Sequence, residues 1–276
     1  MAVTCTAHND IASVLLEMDY TAEAGTQTGL IIRRSVGGEP FSDLVGYGLL
    51  CEQGYYWDTT MPLDVPVTYQ FETTDGIIET CTVTVDGGGF VWLKDPGRPW
   101  ANVRLDLCLV PTPPADPDCA PPEEPLALIQ FGDEVRPADA NLFPILDQEL
   151  PVDVYARRKG VTTSIQFASR TCEAIDLVYQ LFTAGGPILI QAPEIYCWPD
   201  RFWQPGDLEM EFISRDQRKP WRLWSVPLTQ VVAPAIDTIQ GVEDATWCCV
   251  NETYATYADF TATGLTWGEV ASREAC

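Results

Sequence analysis

The residues in this chain of 276 that could do chemistry show no spacing that points to a reaction. There is one histidine, His8, so an imidazole base could operate at one place only. No serine or cysteine stands beside it in a recognisable nucleophile motif, which a triad-like mechanism would need. His8 is expected to be structural, within an irregular N-terminal stretch. Carboxylates are abundant, with 40 Asp and Glu, so no pair such as Glu209 and Glu211 stands apart as the acid and base of a glycosidase. Asp116-Pro117-Asp118 and Asp86-Gly87-Gly88-Gly89 lack the ligand spacing of a calcium loop. The glycines at 87–89 read as a turn rather than a phosphate cradle, because no helix is predicted after them. Ten cysteines sit at 5, 51, 81, 108, 119, 172, 197, 248, 249 and 276, none in a C-x-x-C pair. One histidine cannot complete a zinc cluster with them. The sequence predicts no catalytic residue, no metal site and no cofactor.

Aromatic residues are the other candidate machinery. Tyr196, Trp198, Phe202, Trp203, Trp221 and Trp224 fall in one stretch. Exposed Trp and Tyr stack on sugar rings or anchor protein interfaces. Tyr196, Trp198 and Trp203 are the candidates for a glycan or interface surface. Trp221 and Trp224 flank Arg222 in a predicted strand and are assigned to packing. A second set comes from a repeat near the C-terminus. Thr246-Trp247-Cys248-Cys249-Val250 recurs at ten-residue intervals as Thr256-Tyr257-Ala258-Asp259-Phe260 and Thr266-Trp267-Gly268-Glu269-Val270. Each threonine can cap a short helical turn, and Thr266 with Glu269 forms a capping-box pair. The aromatic residue and the apolar residue three positions on then share a face. Trp247, Val250, Tyr257, Phe260, Trp267 and Val270 are therefore candidate interface residues.

The net charge of −24, with 16 Lys and Arg, excludes a nucleic-acid binder of the usual kind, which needs basic side chains to displace counterions. The start has no basic region followed by an apolar core, so no secretory leader is expected. No run approaches the roughly 20 apolar residues of a membrane helix, and no membrane anchor is expected. Synthesis in the cytoplasm disfavours disulfides. Most cysteines are expected as small buried apolar residues, with Cys119 and Cys276 able to oxidise later.

The elements that must position these residues are mainly β. Residues 1–110 read as an antiparallel sandwich of short strands. Ile11–Met18 and Leu30–Arg34 are apolar runs, and Val65, Val67, Tyr69 and Phe71 alternate with polar or turn residues. Thr74-Asp75-Gly76 then joins this run to Ile77–Val85, with Cys81, Val83 and Val85 on one face, as a hairpin. Residues 111–125 contain seven prolines and predict a stiff spacer. Residues 126–234 predict a second antiparallel β domain that folds on its own. Its strands are expected at Leu126–Phe131, Leu150–Tyr155, Val161–Phe167, Pro187–Ala192, Leu208–Ser214 and Trp221–Val232. Its helix spans 171–183, capped by Thr171, with Ile175, Val178 and Phe182 on one face and Gly185-Gly186-Pro187 stopping it. Residues 235–276 form a tail of short Thr-capped turns.

Three stretches resemble one family in the same order. They are Asp58-Thr59-Thr60-Met61-Pro62-Leu63-Asp64-Val65-Pro66-Val67-Thr68-Tyr69 with the following Trp92–Pro99; the Arg-rich strand, helix, Gly-Gly-Pro and apolar strand of 157–191; and the Thr-aromatic repeat. Together they resemble the minor tail proteins of long-tailed phages infecting actinobacteria. The resemblance implies a fibronectin-like or immunoglobulin-like first domain and a place in the virion tail, at the tip or baseplate. It implies contacts with tube, hub or further tip proteins and with copies of the chain itself, and no catalysis. The ten cysteines and the long Pro-rich spacer depart from the family's usual composition.

The repeat generates a test. Turns this short bury too little of their own surface to be stable alone. Changing Trp247 and Trp267 to Ala should abolish assembly with neighbouring subunits and leave the melting temperature of the free chain unchanged. A large drop in that temperature would instead place the tail in the chain's own core.

Overall fold

The computed structural model describes residues 1–20, 27–51, 53–106, 125–136, 140–143, 152–155, 160–194, 197–213 and 221–234. The expected spacer, apart from Pro125, lies outside the described residues. So do Tyr196 and the whole tail, with Trp247, Val250, Tyr257, Phe260, Trp267 and Val270. The fold is mainly β, its ladders are antiparallel, and it divides into two compact units.

The described part of the first unit is Met1–Gly88. Its strands are β1 (Ala2–His8), β2 (Ser13–Asp19), β3 (Gln27–Val36), β4 (Ser42–Cys51), β5 (Gln53–Asp58), β6 (Val67–Thr73) and β7 (Ile78–Val83). They form a three-stranded sheet, β1-β2-β5, and a four-stranded sheet, β4-β3-β6-β7. The alternation read in the sequence becomes burial: β6 covers Val67, Tyr69, Phe71 and Thr73 and leaves the residues between them half-buried. β2 buries Val14, Leu16 and Met18, and β3 buries Leu30 and Ile32. The hairpin turn lies where Asp75-Gly76 predicts it. Gly76 takes φ +81°, and its N–H donates to the Thr73 carbonyl at 2.9 Å. β7 buries less than expected, with Cys81 and Val83 half-covered.

Two expectations fail in this unit. The N-terminus is not irregular, because β1 pairs with β2 along its whole length, from Ala2↔Asp19 to His8↔Ser13. Short side chains such as Thr4, Cys5 and Thr6 give little period-2 signal, and the partner strand supplies the order. A disulfide also joins Cys5 on β1 to Cys81 on β7, with Cα atoms 6.1 Å apart. It links an edge strand of one sheet to an edge strand of the other across 76 residues of sequence, a closure worth about 4 kcal/mol on chain entropy. In the second unit, Cys172 and Cys197 are exposed rather than buried.

The second unit is Gly89–Pro234. Its strands are β8 (Val91–Lys94), β9 (Val103–Leu105), β10 (Leu126–Phe131), β11 (Ala140–Phe143), β12 (Val152–Tyr155), β13 (Thr162–Ser169), β14 (Ile188–Gln191), β15 (Arg201–Pro205), β16 (Glu209–Phe212) and β17 (Arg222–Val231); its helix is α1 (Cys172–Thr183). The main sheet runs β10-β13-β17-β15-β14-β8-β9. Beyond β9, the Asp106 N–H donates to the Leu126 carbonyl (3.0 Å) and the Leu128 N–H to the Asp106 carbonyl (2.8 Å), so the sheet returns to β10 and closes. Closure removes free edges along that path. Leu93, Val103, Phe167, Ile190, Trp203, Trp224 and Val226 fill the interior together. Helix α1 begins where expected: Thr171 Oγ1 accepts from the Ala174 N–H at 3.1 Å. It buries Ala174, Val178 and Leu181, while Ile175 and Phe182 pack at the margin of the core.

The domain boundary expected at residue 110 lies between Gly88 and Gly89. β8 and β9 belong to the second sheet, where β8 pairs with β14. β8 shows no alternation because all four of its residues are buried, so its sequence does not announce a half-exposed strand. Leu150–Tyr155 also departs from expectation. Its strand, β12, pairs with β11 in a separate two-stranded ribbon, outside the main sheet.

This sets a fragment test. Residues 126–234 alone lack β8 and β9, which opens the ring and bares β14 and the β10 edge. That fragment should aggregate or melt without cooperativity, whereas 89–234 should melt in one cooperative transition by circular dichroism. The reverse outcome would restore the boundary at 110.

Candidate functional site: buried polar networks

The most concentrated polar chemistry lies at the end of β5. The Asp58 side chain is wholly buried, and a charge taken out of water survives only when it is paired and hydrogen-bonded. Asp58 Oδ2 accepts from Arg34 Nη1 at 2.8 Å and from the Tyr69 hydroxyl at 2.8 Å. Its Oδ1 accepts from the Thr60 N–H at 2.8 Å and the Thr60 hydroxyl at 2.9 Å. Thr60 Oγ1 in turn accepts from Arg34 Nη1 at 3.0 Å. Arg34 comes from β3 and Tyr69 from β6, so the carboxylate at the end of one sheet is held by two strands of the other. Burial works against the Arg34 charge, but attraction to Asp58 and the hydrogen bond to it outweigh this and raise its pKa. Burial, and then the neighbouring Asp58 charge, push the Tyr69 phenol far up, so it remains a donor at all working pH. With four donors on one carboxylate, Asp58 has its acceptor capacity filled by the protein itself. That is the arrangement of a structural anchor.

The second network is built from Trp92–Pro99. Asp95 Oδ1 accepts from the Gly97 N–H at 2.9 Å, and its Oδ2 pairs with Arg98, at 2.8 Å from Nε and 2.7 Å from Nη2. Arg98 Nη2 also donates to the carbonyls of Gln180 (3.1 Å) and Leu181 (3.3 Å) at the end of α1. Those carbonyls have no partner within the helix, and a cation there also meets the negative end of its dipole. Nearby, Lys94 and Gln191 are buried, and Gln191 Nε2 donates to Asp200 Oδ2 at 2.7 Å. Asp200 keeps solvent contact, yet protein packed around its carboxyl raises its pKa, against the opposing Gln191 bond and Lys94 charge.

The residues singled out from sequence are not brought together. His8 ends β1 with its ring 5.0 Å from that of Trp57 and its Nδ1 4.0 Å from Asp10. Glu209 and Glu211 are both exposed on β16. The amides of the glycine turn are already occupied: Gly87 N–H donates to Asp64 and Gly88 N–H to Asp86, each at 2.8 Å. A phosphate would have to displace both carboxylates. Among the described residues, no group of three His, Cys, Asp or Glu could hold a metal ion.

The aromatic reading needs correction at Trp203. This residue is fully buried, because its side of β15 faces the core, where it packs with Ile188, Ile190 and Val226. It fills the closed sheet and cannot stack on a glycan or a partner. Trp224 is buried too, with Nε1 donating to Ser169 Oγ at 2.9 Å. Trp198 is half-buried against Phe131, ring centres 3.9 Å apart, while Trp221 is exposed. Sequence reasoning missed Asp58, Arg34, Asp95 and Arg98 as the polar centres. Asp58 and Arg98 sit within quoted motifs, but nothing in the spacing shows that their partners lie on distant strands and at a helix end.

Removing Asp58 should leave Arg34 and Tyr69 without their buried partner. Asp58→Ala is expected to lower stability by about 3–5 kcal/mol. Tyr69→Phe removes one donor only, and about 1–2 kcal/mol is expected. Urea unfolding of both variants measures this, and an unchanged midpoint in Asp58→Ala would deny the network its structural role.

No protein-family model matches this sequence, and the search of curated proteins found no match either.

Proposed function

We propose that this chain is a structural subunit of a bacteriophage tail, a minor tail protein of the tip or baseplate. It acts by assembling with other tail proteins and with copies of itself, and catalyses no reaction. The observation that carries this reading is where the resembling stretches fall. Asp58–Tyr69 contains both the buried carboxylate and the tyrosine that bonds it. Trp92–Pro99 supplies Asp95 and Arg98, and 157–191 supplies β13, α1 and β14. The resemblance therefore follows the framework of both units rather than a surface of common composition.

We read the first unit as a fibronectin-like sandwich. The three-and-four division into β1-β2-β5 and β4-β3-β6-β7 supports this. So does the Tyr69 hydroxyl on β6, which donates to the side chain of Asp58 at the end of β5 and so ties one sheet to the other. Assembly would follow synthesis in the host cytoplasm. Among the described residues, no helix is long and apolar enough to cross a membrane. The alternative of a glycan-binding adsorption module loses Trp203 to the core.

Immunogold electron microscopy of purified particles, with antibody raised against the chain, tests the reading. Gold is expected at the end of the tail. Label on the head, or none on intact and on detergent-opened particles, would overturn it. Hydrolysis of host cell-wall polymer by the purified chain, lost on one Asp or Glu substitution, would overturn the non-catalytic part.

A further inference from the structure

β1 is weakly embedded in the first unit. It lies at the edge of its sheet and pairs with β2 alone. Its register sets Val3, Cys5 and Ala7 opposite Met18, Leu16 and Val14, so these three side chains face the core. They are small, and none of the β1 residues is fully buried, whereas β2 buries Ser13, Val14, Leu16 and Met18. Burial of apolar surface therefore holds this strand less firmly than its neighbour. The Asp58 network draws on β3, β5, β6 and Thr60 and takes no residue from β1.

The turn that joins β1 to β2 works against the pairing. Ala12 is buried there with φ at +47°, a left-handed conformation that is costly for a residue with a Cβ. Beside it, the His8 ring lies 5.0 Å from that of Trp57, and the Asn9 side chain accepts from the Asp86 N–H at 3.1 Å. These contacts fix the turn as a pivot. The remaining hold is at the middle of the strand, where Cys5 is bonded to Cys81 on β7. β7 is itself moored along β6, from Val67↔Val83 to Glu72↔Ile78. β1 and β7 belong to different sheets, so no strand ladder duplicates the covalent link.

We infer that the Cys5–Cys81 bond is a redox latch on β1. Closed, it keeps β1 on β2; opened by a dithiol reductant, it lets β1 swing away while the rest of the unit stays folded. Both cysteines are half-buried rather than enclosed, so a small dithiol can reach them. One thiolate of the reductant attacks one sulfur, and its second thiolate then displaces the mixed disulfide. The reductant gives up two electrons and two protons and leaves as a disulfide, and the Sγ–Sγ bond of the protein becomes two thiols. Release bares the β2 edge, Ser13–Asp19, whose freed N–H and C=O groups are a template for another strand. A reducing compartment keeps such a pair as thiols, so β1 is loose there and becomes latched on oxidation. The latch goes beyond the assembly reading and depends on the strands of the first unit alone.

The test uses the full chain with Cys5→Ala and Cys81→Ala, which opens this one link and leaves the other cysteines in place. Proton–nitrogen-15 NMR of the variant should move the Val3–Ala7 amides to random-coil positions. Those of Leu30, Ile32, Tyr69 and Phe71 should keep their wild-type positions. Wild type in dithiothreitol, with both thiols confirmed free by alkylation, should show the same pattern. Its Val3–Ala7 amides should also exchange with deuterium roughly tenfold or more faster than in the oxidised chain. Val3–Ala7 amides that stay in place after reduction would make the bond a passive staple and overturn the latch. Loss of the Leu30, Ile32, Tyr69 and Phe71 signals together with β1 would overturn it too, since the bond would then hold the whole unit. A chain purified in air whose Cys5 and Cys81 remain thiols would do the same.

Discussion

A carboxylate cut off from water constrains everything around it. Asp58 is fully buried and needs its donors brought from elsewhere: Arg34 on β3, Tyr69 on β6 and Thr60 in the following turn. β3 and β6 must therefore keep one register, since a one-residue slip would turn Arg34 or Tyr69 to the opposite face. Arg34 and Tyr69 are directly paired across the two strands, so the hydrogen-bonded ladder and the ionic network specify the same alignment. The disulfide between Cys5 and Cys81 adds a covalent tie between edges of the same two sheets. Hydrophobic burial makes this unit compact, and the polar network selects which compact arrangement it takes.

The second unit meets its constraints by closure. A sheet that returns to its first strand leaves few backbone groups unpaired, and its inward residues meet in one core that includes the buried face of α1. Arg98 joins the turn after β8 to the last carbonyls of that helix. Asp95 and Arg98 are thus both held in internal bonds.

Local patterns determined a good part of this fold on their own. The alternation of Val67, Tyr69 and Phe71 made β6, because period-2 patterning fits only a strand with one covered face. Asp75-Gly76 made the hairpin, since the turn needs a positive φ that glycine adopts freely. Thr171 and the apolar spacing after it made α1, through a cap and a stripe that lie within thirteen consecutive residues. Tertiary structure alone decided the rest. It paired β1 with β2, joined Cys5 to Cys81, drew β8 and β9 into the second sheet, buried Trp203 and gave Asp58 and Arg98 their partners. Each of these depends on residues far apart in the chain, and a buried Trp, Asp or Arg has the same local sequence signature as an exposed one. Its place is set by which distant strand supplies the covering surface or the missing hydrogen bond.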